Sequence, residues 1–193
     1  MSPKNLVIVV SAPSGAGKHT VLEQVRKADR GLATTVSATT RPPRASEADG
    51  REYYFLSREE FERRIAAGEF IEFAVVHDNM YGTFESELDR CLDSGKDVLL
   101  ELDVQGMRDL KRMRRDAVTV FITAPSLEEL ERRLRRRGTE ADHVIGLRLR
   151  NAKAEIDARR EYDYIVVNDA LDNAVADMQA IIRAERCRSD RQP

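Results

Sequence analysis

The chain has 193 residues, 34% of them charged and 41% hydrophobic, with 32 basic side chains against 34 acidic ones and a net charge of −2. This length points to one domain, with room for insertions and for a core that needs no disulfide or metal staple. The near balance of charge weighs against a nucleic-acid coat, which shows a basic excess, yet 26 of the 32 cations are arginine, whose fork fits phosphate oxygens.

Leu6-Val7-Ile8-Val9-Val10 is a continuous apolar, β-branched run. It predicts a strand buried on both faces, as in a parallel sheet. Gly15 and Gly17 then mark a loop, and Val21, Leu22 and Val25 repeat at helical spacing. Ala33 to Thr40 is a polar, β-branched run that Pro42-Pro43 ends. Short strands are expected at Tyr53–Phe55 and Phe70–Phe73 around a helix over 57–67, with Tyr81-Gly82-Thr83 at a turn. Helices over 84–94, 105–115, 126–137, 141–160 and 171–187 alternate with strands at Val98–Leu100, Val118–Ile122 and Tyr164–Val167. The alternation predicts an α/β fold: a mostly parallel sheet flanked by helices. Two stretches break the rhythm. Residues 34–83 read as a small mixed or antiparallel β insertion, and 126–146 is an arginine-rich departure with Gly138 near its middle. That leaves 1–33, 84–125 and 147–193 as the core. The polar end, Arg186 to Pro193, is expected to fray.

Cys91 and Cys187 form no C-x-x-C pair, and both fall in helical patterns, so buried or inert thiols are expected. His19, His77 and His143 are too dispersed for a metal site. The first apolar run is too short for a signal peptide, and no run nears the roughly 18 residues of a membrane span. The expectation is a cytoplasmic protein with no membrane partner.

Ala12-Pro13-Ser14-Gly15-Ala16-Gly17-Lys18-His19-Thr20 follows the first strand directly. It approximates the phosphate loop G-x-x-x-x-G-K-[ST], with Ala12 for the first glycine and His19 at the Ser/Thr position. Ser14 to Thr20 would wrap an ATP phosphate chain with backbone N–H groups and a helix N-terminus. Lys18 would reach the β- and γ-phosphates. The usual hydroxyl at the position of His19 ligates Mg2+, a hard cation that prefers oxygen. With imidazole there, magnesium must rely on phosphates, water and other residues, or Thr20 or a shifted loop must supply the oxygen.

Arg41 and Arg44 lie three apart around a proline turn, followed by Glu47, Gly50, Glu52, Tyr53 and Tyr54. Two arginines and a phenol can cup one phosphate. Glu72 offers a carboxylate that can accept two hydrogen bonds from a base edge bearing an N–H and an amine, as guanine does. Tyr81 and Thr83 add a phenol and a hydroxyl.

Together these stretches resemble the guanylate kinase family, over nearly the whole length. The resemblance runs through S-A-P-S-G-A-G-K, V-S-x-T-T-R-x-P-R, G-x-x-Y-x-F at Gly50–Phe55, F-I-E at Phe70–Glu72 and Y-G-T at Tyr81–Thr83. It continues through L-E-L-D-V-Q-G at Leu100–Gly106, R-R-G-T at Arg136–Thr139 and V-N-D at Val167–Asp169. It implies a P-loop core, a GMP-binding insertion over 34–83 and a helical lid over 126–146. It implies that Ser37, Glu72 and Thr83 face guanine, and that Arg41, Arg44, Tyr53 and Tyr81 hold the GMP phosphate. Glu101 would lie at the nucleoside end of that pocket, and Asp103 near the magnesium and Lys18. Arg133, Arg137 and Arg148 would close on the transferring phosphoryl, with Asn168 at the adenine side.

Leu127, Leu130 and Leu134 make 126–137 amphipathic. Glu128–Arg132, Glu129–Arg133 and Glu131–Arg135 are i,i+4 pairs in the favourable order. They mark Arg132, Arg135 and Arg136 as a solvated, self-paired face, while Arg137 precedes a glycine hinge. The expected activity is ATP + GMP to ADP + GDP. The competing readings are a non-catalytic binding module of the same fold, a kinase for another phosphorylated acceptor and a GTPase-type switch. Lys18 and the glycines oppose the first, Glu72 and Ser37 the second, and the lack of an [NT]-K-x-D motif the third. Oligomeric state stays open.

Overall fold

In the computed structural model, which describes residues 5–76, 78–136 and 142–192, the opening apolar run becomes β1 (Val7–Ser11), buried along its whole length. The run is uninterrupted because both faces are covered. Ile8 and Val10 join a cluster with Val21, Leu22 and Val25 of α1 (Lys18–Ala28) and Met178 and Ile182 of α7 (Leu171–Arg186). Val7 and Val9 pack the other way, with Leu88 and Cys91 of α3 (Glu85–Asp93) and Met107 and Leu110 of α4 (Val104–Met113). Further strands are β2 (Leu32–Thr34), β7 (Asp97–Glu101), β8 (Val118–Thr123) and β9 (Tyr164–Val167). All pairings in this sheet are parallel, in the order β2-β7-β1-β8-β9 among the described residues. The loop after β1 therefore opens at the sheet's carboxyl edge, where open α/β sheets bind ligands.

A second, mixed sheet has the order β4-β3-β6-β5, from β3 (Ser37–Thr39), β4 (Tyr53–Phe55), β5 (Phe70–Val76) and β6 (Asn79–Phe84). Behind it lies α2 (Arg58–Ala66), capped by the Ser57 side chain, which accepts from the Glu60 N–H. Phe61 of α2 stacks on Phe70 at 4.4 Å between ring centroids, beside buried Ala38, Met80 and Phe84.

The structure sharpens one stretch and changes another. The run Ala33 to Thr40, to which the sequence assigns no element, divides between the sheets: β2 joins the parallel sheet and β3 the mixed one, with Thr35 and Val36 between them. Contrary to expectation, Tyr81-Gly82-Thr83 is not a turn, for it lies inside β6, antiparallel to β5. Gly82 is there because the strands approach closely. A Cβ would stand 2.7 Å from the Glu72 carbonyl oxygen.

Beyond β8, α5 (Leu127–Arg136) and α6 (Asp142–Asp157) pack through Leu130, Leu134, Ile145 and Ala152. Leu127 is exposed rather than part of that seam. The expected hinge at Gly138 lies outside the described residues, as do Arg137 and His77. A 3₁₀ turn, Ala158–Glu161, replaces the end of the helix expected to reach 160. The tail does not fray as expected. Ser189–Arg191 forms a turn, and buried Arg191 donates to the Asp116 carbonyl at 2.8 Å. Of the two thiols, Cys91 is buried and Cys187 exposed. No described helix is long and apolar enough to cross a membrane.

Candidate active site

Gly15 and Gly17 both take positive φ, at 92° and 86°, which lets the loop turn back over the start of α1. The first turn of α1 carries no acidic side chain, so its N–H groups remain suited to an anion. Three elements brace the loop. Asn168, buried just past β9, donates from Nδ2 to the Ala16 carbonyl at 2.8 Å. Arg148 of α6 donates to Ser14 Oγ at 3.0 Å. Leu134 of α5 lies so near Gly15 that a Cβ there would meet it at 3.1 Å.

The loop separates two cavities. One, about 570 Å³, is lined by Gly15, Gly17, Thr20, Arg133, Asn168 and Asp169 among others. Arg133 donates to Glu129 at 2.6 Å and to the Asn168 carbonyl at 2.9 Å, tying α5 to β9. Arg132 and Arg136 also line this cavity, so they are not merely a solvated face. Arg132 pairs with Glu129 at i,i+3 rather than with Glu128, because Glu129 serves both arginines; the Arg135–Glu131 pair forms as expected. Hydrogen bonds from Arg132 and Arg133 hold the Glu129 carboxyl down to about 2.

The other cavity, about 120 Å³, brings Lys18 together with Glu101, Asp103 and Glu155. Lys18 Nζ stands 3.6 Å from Glu101 Oε2. Asp103 caps α4, its Oδ1 accepting from the Gly106 N–H at 2.7 Å. The resemblance sets Glu101 at the nucleoside end and Asp103 beside Lys18. Asp103 does share this cavity with Lys18, while the ion pair to Lys18 is made by Glu101, because β7 ends level with the phosphate loop; the Asp103 charge also acts on Glu72 and Glu155. Glu155 went unnoticed in the sequence. Burial, then the nearby Asp103 charge, raises its carboxyl. Thr20 opens into the larger cavity instead of this one, and His19 is exposed at the start of α1.

Strand register explains the mixed sheet. Ser37 pairs with Tyr53, Thr39 with Phe55 and Tyr81, and Glu72 with Thr83. Paired residues share a face, and residues two apart on a strand do too. Ser37, Tyr53, Glu72, Tyr81 and Thr83 therefore stand on one face of the sheet. Glu72 gets there through a register shift between Phe70 and Glu72. Phe70 pairs with Phe84, toward α2; the irregularity turns Glu72 to the other face.

Arg41 lies over the same face, its guanidinium carbon 5.5 Å from the Tyr53 ring centroid. Glu47 orders this corner, accepting from Arg41 Nη2 at 2.9 Å and from the Arg44 backbone N–H at 2.8 Å. Arg44 itself is exposed. The spacing R-x-x-R-x-x-E contains the signal for Glu47, but only the fold shows that it serves both arginines. Thr83 Oγ1 donates to Glu72 Oε1 at 2.9 Å. Burial pushes the Glu72 carboxyl up to about 7, opposed by the Thr83 hydroxyl and reinforced by the Asp103 charge.

The site thus joins an anion-binding loop with one lysine, a cation-lined cavity beside it, and a separate polar sheet face with a half-buried carboxylate. The family model for guanylate kinase matches residues 4–185. A guanylate kinase from Rhizobium meliloti (strain 1021) is 46% identical over 98% of this chain and 87% of its own length. One from Symbiobacterium thermophilum is 47% identical over 98% and 90%. The crystal structure of guanylate kinase from Anaplasma phagocytophilum superposes with a TM-score of 0.75 at 35% identity, covering 100% of this chain and 92% of that one. A shikimate kinase from Bacteroides thetaiotaomicron, with a TM-score of 0.51 at 16% identity and covering 92% and 98%, shares the fold. By its motifs, its fold and these relatives, the chain belongs to the guanylate kinase family.

Proposed function

We propose that this protein transfers the γ-phosphoryl group of ATP to GMP or dGMP, giving ADP and GDP or dGDP. An oxygen of the acceptor phosphate attacks the γ-phosphorus, and the bond to the β–γ bridging oxygen breaks. Such transfer depends on alignment and charge neutralisation. The acceptor is already ionised near neutral pH, so no general base is assigned.

In this reading Ser14 to Thr20 cradle the ATP phosphates, and Lys18 neutralises charge at the β- and γ-phosphates. Arg133 and Asn168 border the nucleoside side, and Arg148 holds Ser14. Arg137, outside the described residues, is a further phosphoryl-facing cation by family resemblance. Ser37, Glu72 and Thr83 read guanine, with Arg41, Arg44, Tyr53 and Tyr81 around its phosphate. Glu101 would set the charge and position of Lys18. We take 34–83 as the GMP-binding insertion, 126–146 as the lid and the rest as the core.

The described residues contain no group of three His, Cys, Asp or Glu side chains able to hold a metal. Glu101 and Asp103 beside Lys18 nonetheless fit Mg2+ carried by the nucleotide, a cation that keeps several waters and takes one or two carboxylates. When bound it supplies charge neutralisation on the ATP phosphates.

The observation that carries this reading is the half-buried Glu72 carboxylate, on the face that also presents Tyr53 and Tyr81. A carboxylate there suits an N–H and amine edge and leaves other bases with unpaired groups. The test is ADP release with GMP, dGMP, AMP, CMP and UMP as acceptors. Turnover with GMP and dGMP should exceed the others by about 100-fold or more in kcat/KM. Equal turnover with all five, or none in folded protein, would overturn the reading.

A further inference from the structure

Glu87 of α3 is a buried carboxylate with no part in the chemistry above. Its place in the fold is unusual. The chain leaves the parallel sheet at Thr34 and enters the mixed sheet at Ser37; it leaves the mixed sheet at Phe84 and enters α3 at Glu85. Glu87 stands where these two crossings meet. Its Oε1 accepts from the Val36 N–H at 3.0 Å, on the outward crossing. Its Oε2 accepts from the Tyr54 hydroxyl at 3.1 Å, in the insertion itself. Arg90, one turn on, grips both oxygens, at 2.9 and 2.6 Å. Nearby, the Cys91 thiol approaches the Thr34 carbonyl at 3.5 Å.

Two of these partners, and the junction into α3, lie beside groups of the acceptor face. Val36 precedes Ser37, Tyr54 follows Tyr53, and Thr83 precedes the Phe84–Glu85 junction. Burial works against the charge on Glu87, but hydrogen bonds from Arg90, Val36 and Tyr54 hold its carboxyl below the usual range. A charged acceptor makes each of these bonds stronger than a neutral one would. No local sequence pattern predicts the contacts, because Val36 and Tyr54 lie 51 and 33 positions away.

We infer that Glu87 is a positioning residue for the acceptor nucleotide: it fixes both crossings of the insertion and so sets the acceptor face relative to the phosphate loop. This rests on the reading of that face as the GMP site. The consequence is selective. Loss of the latch weakens GMP binding and alignment, and leaves ATP binding, which uses the core and α5, nearly unchanged.

The test compares Glu87→Ala, Glu87→Gln and Tyr54→Phe with wild type, measuring KM for GMP, KM for ATP, kcat and hydrogen exchange at the Val36 amide. Glu87→Ala should raise KM for GMP roughly tenfold, as expected for losing charge-assisted hydrogen bonds. KM for ATP should stay within about twofold, and Val36 exchange should accelerate. Glu87→Gln keeps an acceptor for Val36 and should recover most of the GMP affinity. Tyr54→Phe keeps the ring against Phe84 and should raise KM for GMP about threefold. It carries the test alone if Glu87→Ala does not fold.

Parallel losses for GMP and ATP, or faster Val36 exchange with an unchanged KM for GMP, would overturn the inference. A wild-type protein that uses no GMP would instead overturn the functional reading. Val36 exchange needs no nucleotide, and an unchanged rate in Glu87→Ala would still refute the latch.

Discussion

In the proposed reading the two sheets of this protein carry function in different ways. The parallel sheet, whose central strand is buried on both faces, works at its edge, where the loop after β1 meets Asn168 and Arg148. The mixed sheet gives one face to α2 and leaves the other polar, and it works across that face. An edge site tolerates changes within the strands but depends on the loop. A face site depends on register, since a slip of one residue turns every side chain away.

The largest test of the edge site is Lys18→Met. Loss of one preorganised cation should lower kcat by about 10²–10³-fold in steady-state assays. An unchanged kcat would remove the phosphate loop from the chemistry.

The face site has a signature in pH. Burial raises the folded Glu72 carboxyl to about 7, above the ordinary 4.5. A raised carboxyl binds protons more tightly in the folded state. Its stability contribution is therefore full below about 4.5 and is lost as pH rises through about 7. Denaturant unfolding should show wild type losing on the order of 3 kcal/mol relative to Glu72→Gln across that window. If the ionised carboxylate reads guanine, as proposed, GMP should bind more tightly over the same rise. A flat difference between the two proteins would show that Glu72 is not buried in the way described.

Gly82→Ala tests the register itself. The added methyl would meet the Glu72 carbonyl, so β5 and β6 must part. Destabilisation of about 1–3 kcal/mol is expected in thermal unfolding, with a raised KM for GMP. A methyl accepted without cost would mean a looser strand pair.

His19→Ser should do least. His19 is exposed, and surface changes usually stay within about 0.5 kcal/mol. ATP use should survive, with the magnesium dependence of the rate shifted only a few-fold. Abolished activity would show that the imidazole has a role of its own.

The same contrast decides what the sequence reveals. Strands β1, β7 and β8 are legible because burial on both faces writes them as apolar runs, and edge strand β9 is legible as a β-branched run although Ile165 and Val167 are exposed. The phosphate loop is legible because its glycines and lysine are adjacent. Where the chain passes from β2 to β3 the sequence carries no mark, since β-branched residues continue through the change of sheet at Thr35–Val36. Strand β6 reads as a turn because Gly82 serves close packing there. Glu72 is legible as a carboxylate beside apolar neighbours, but the register shift that aims it has no local mark. Glu155 and Glu87 escape notice because each is a helix carboxylate whose telling neighbours, Lys18 and Asp103 for one and Val36 and Tyr54 for the other, lie on other elements.

The central claim is that nucleotide donor and acceptor are read by separate structures, the edge of one sheet and the face of the other. Calorimetric titration of Glu72→Ala with ATP and with GMP tests it most directly. The account predicts GMP affinity weakened roughly 10- to 100-fold, as for a lost charge-assisted hydrogen-bond pair, with ATP affinity within about twofold of wild type. Equal weakening of both nucleotides, or unchanged GMP affinity, would contradict it.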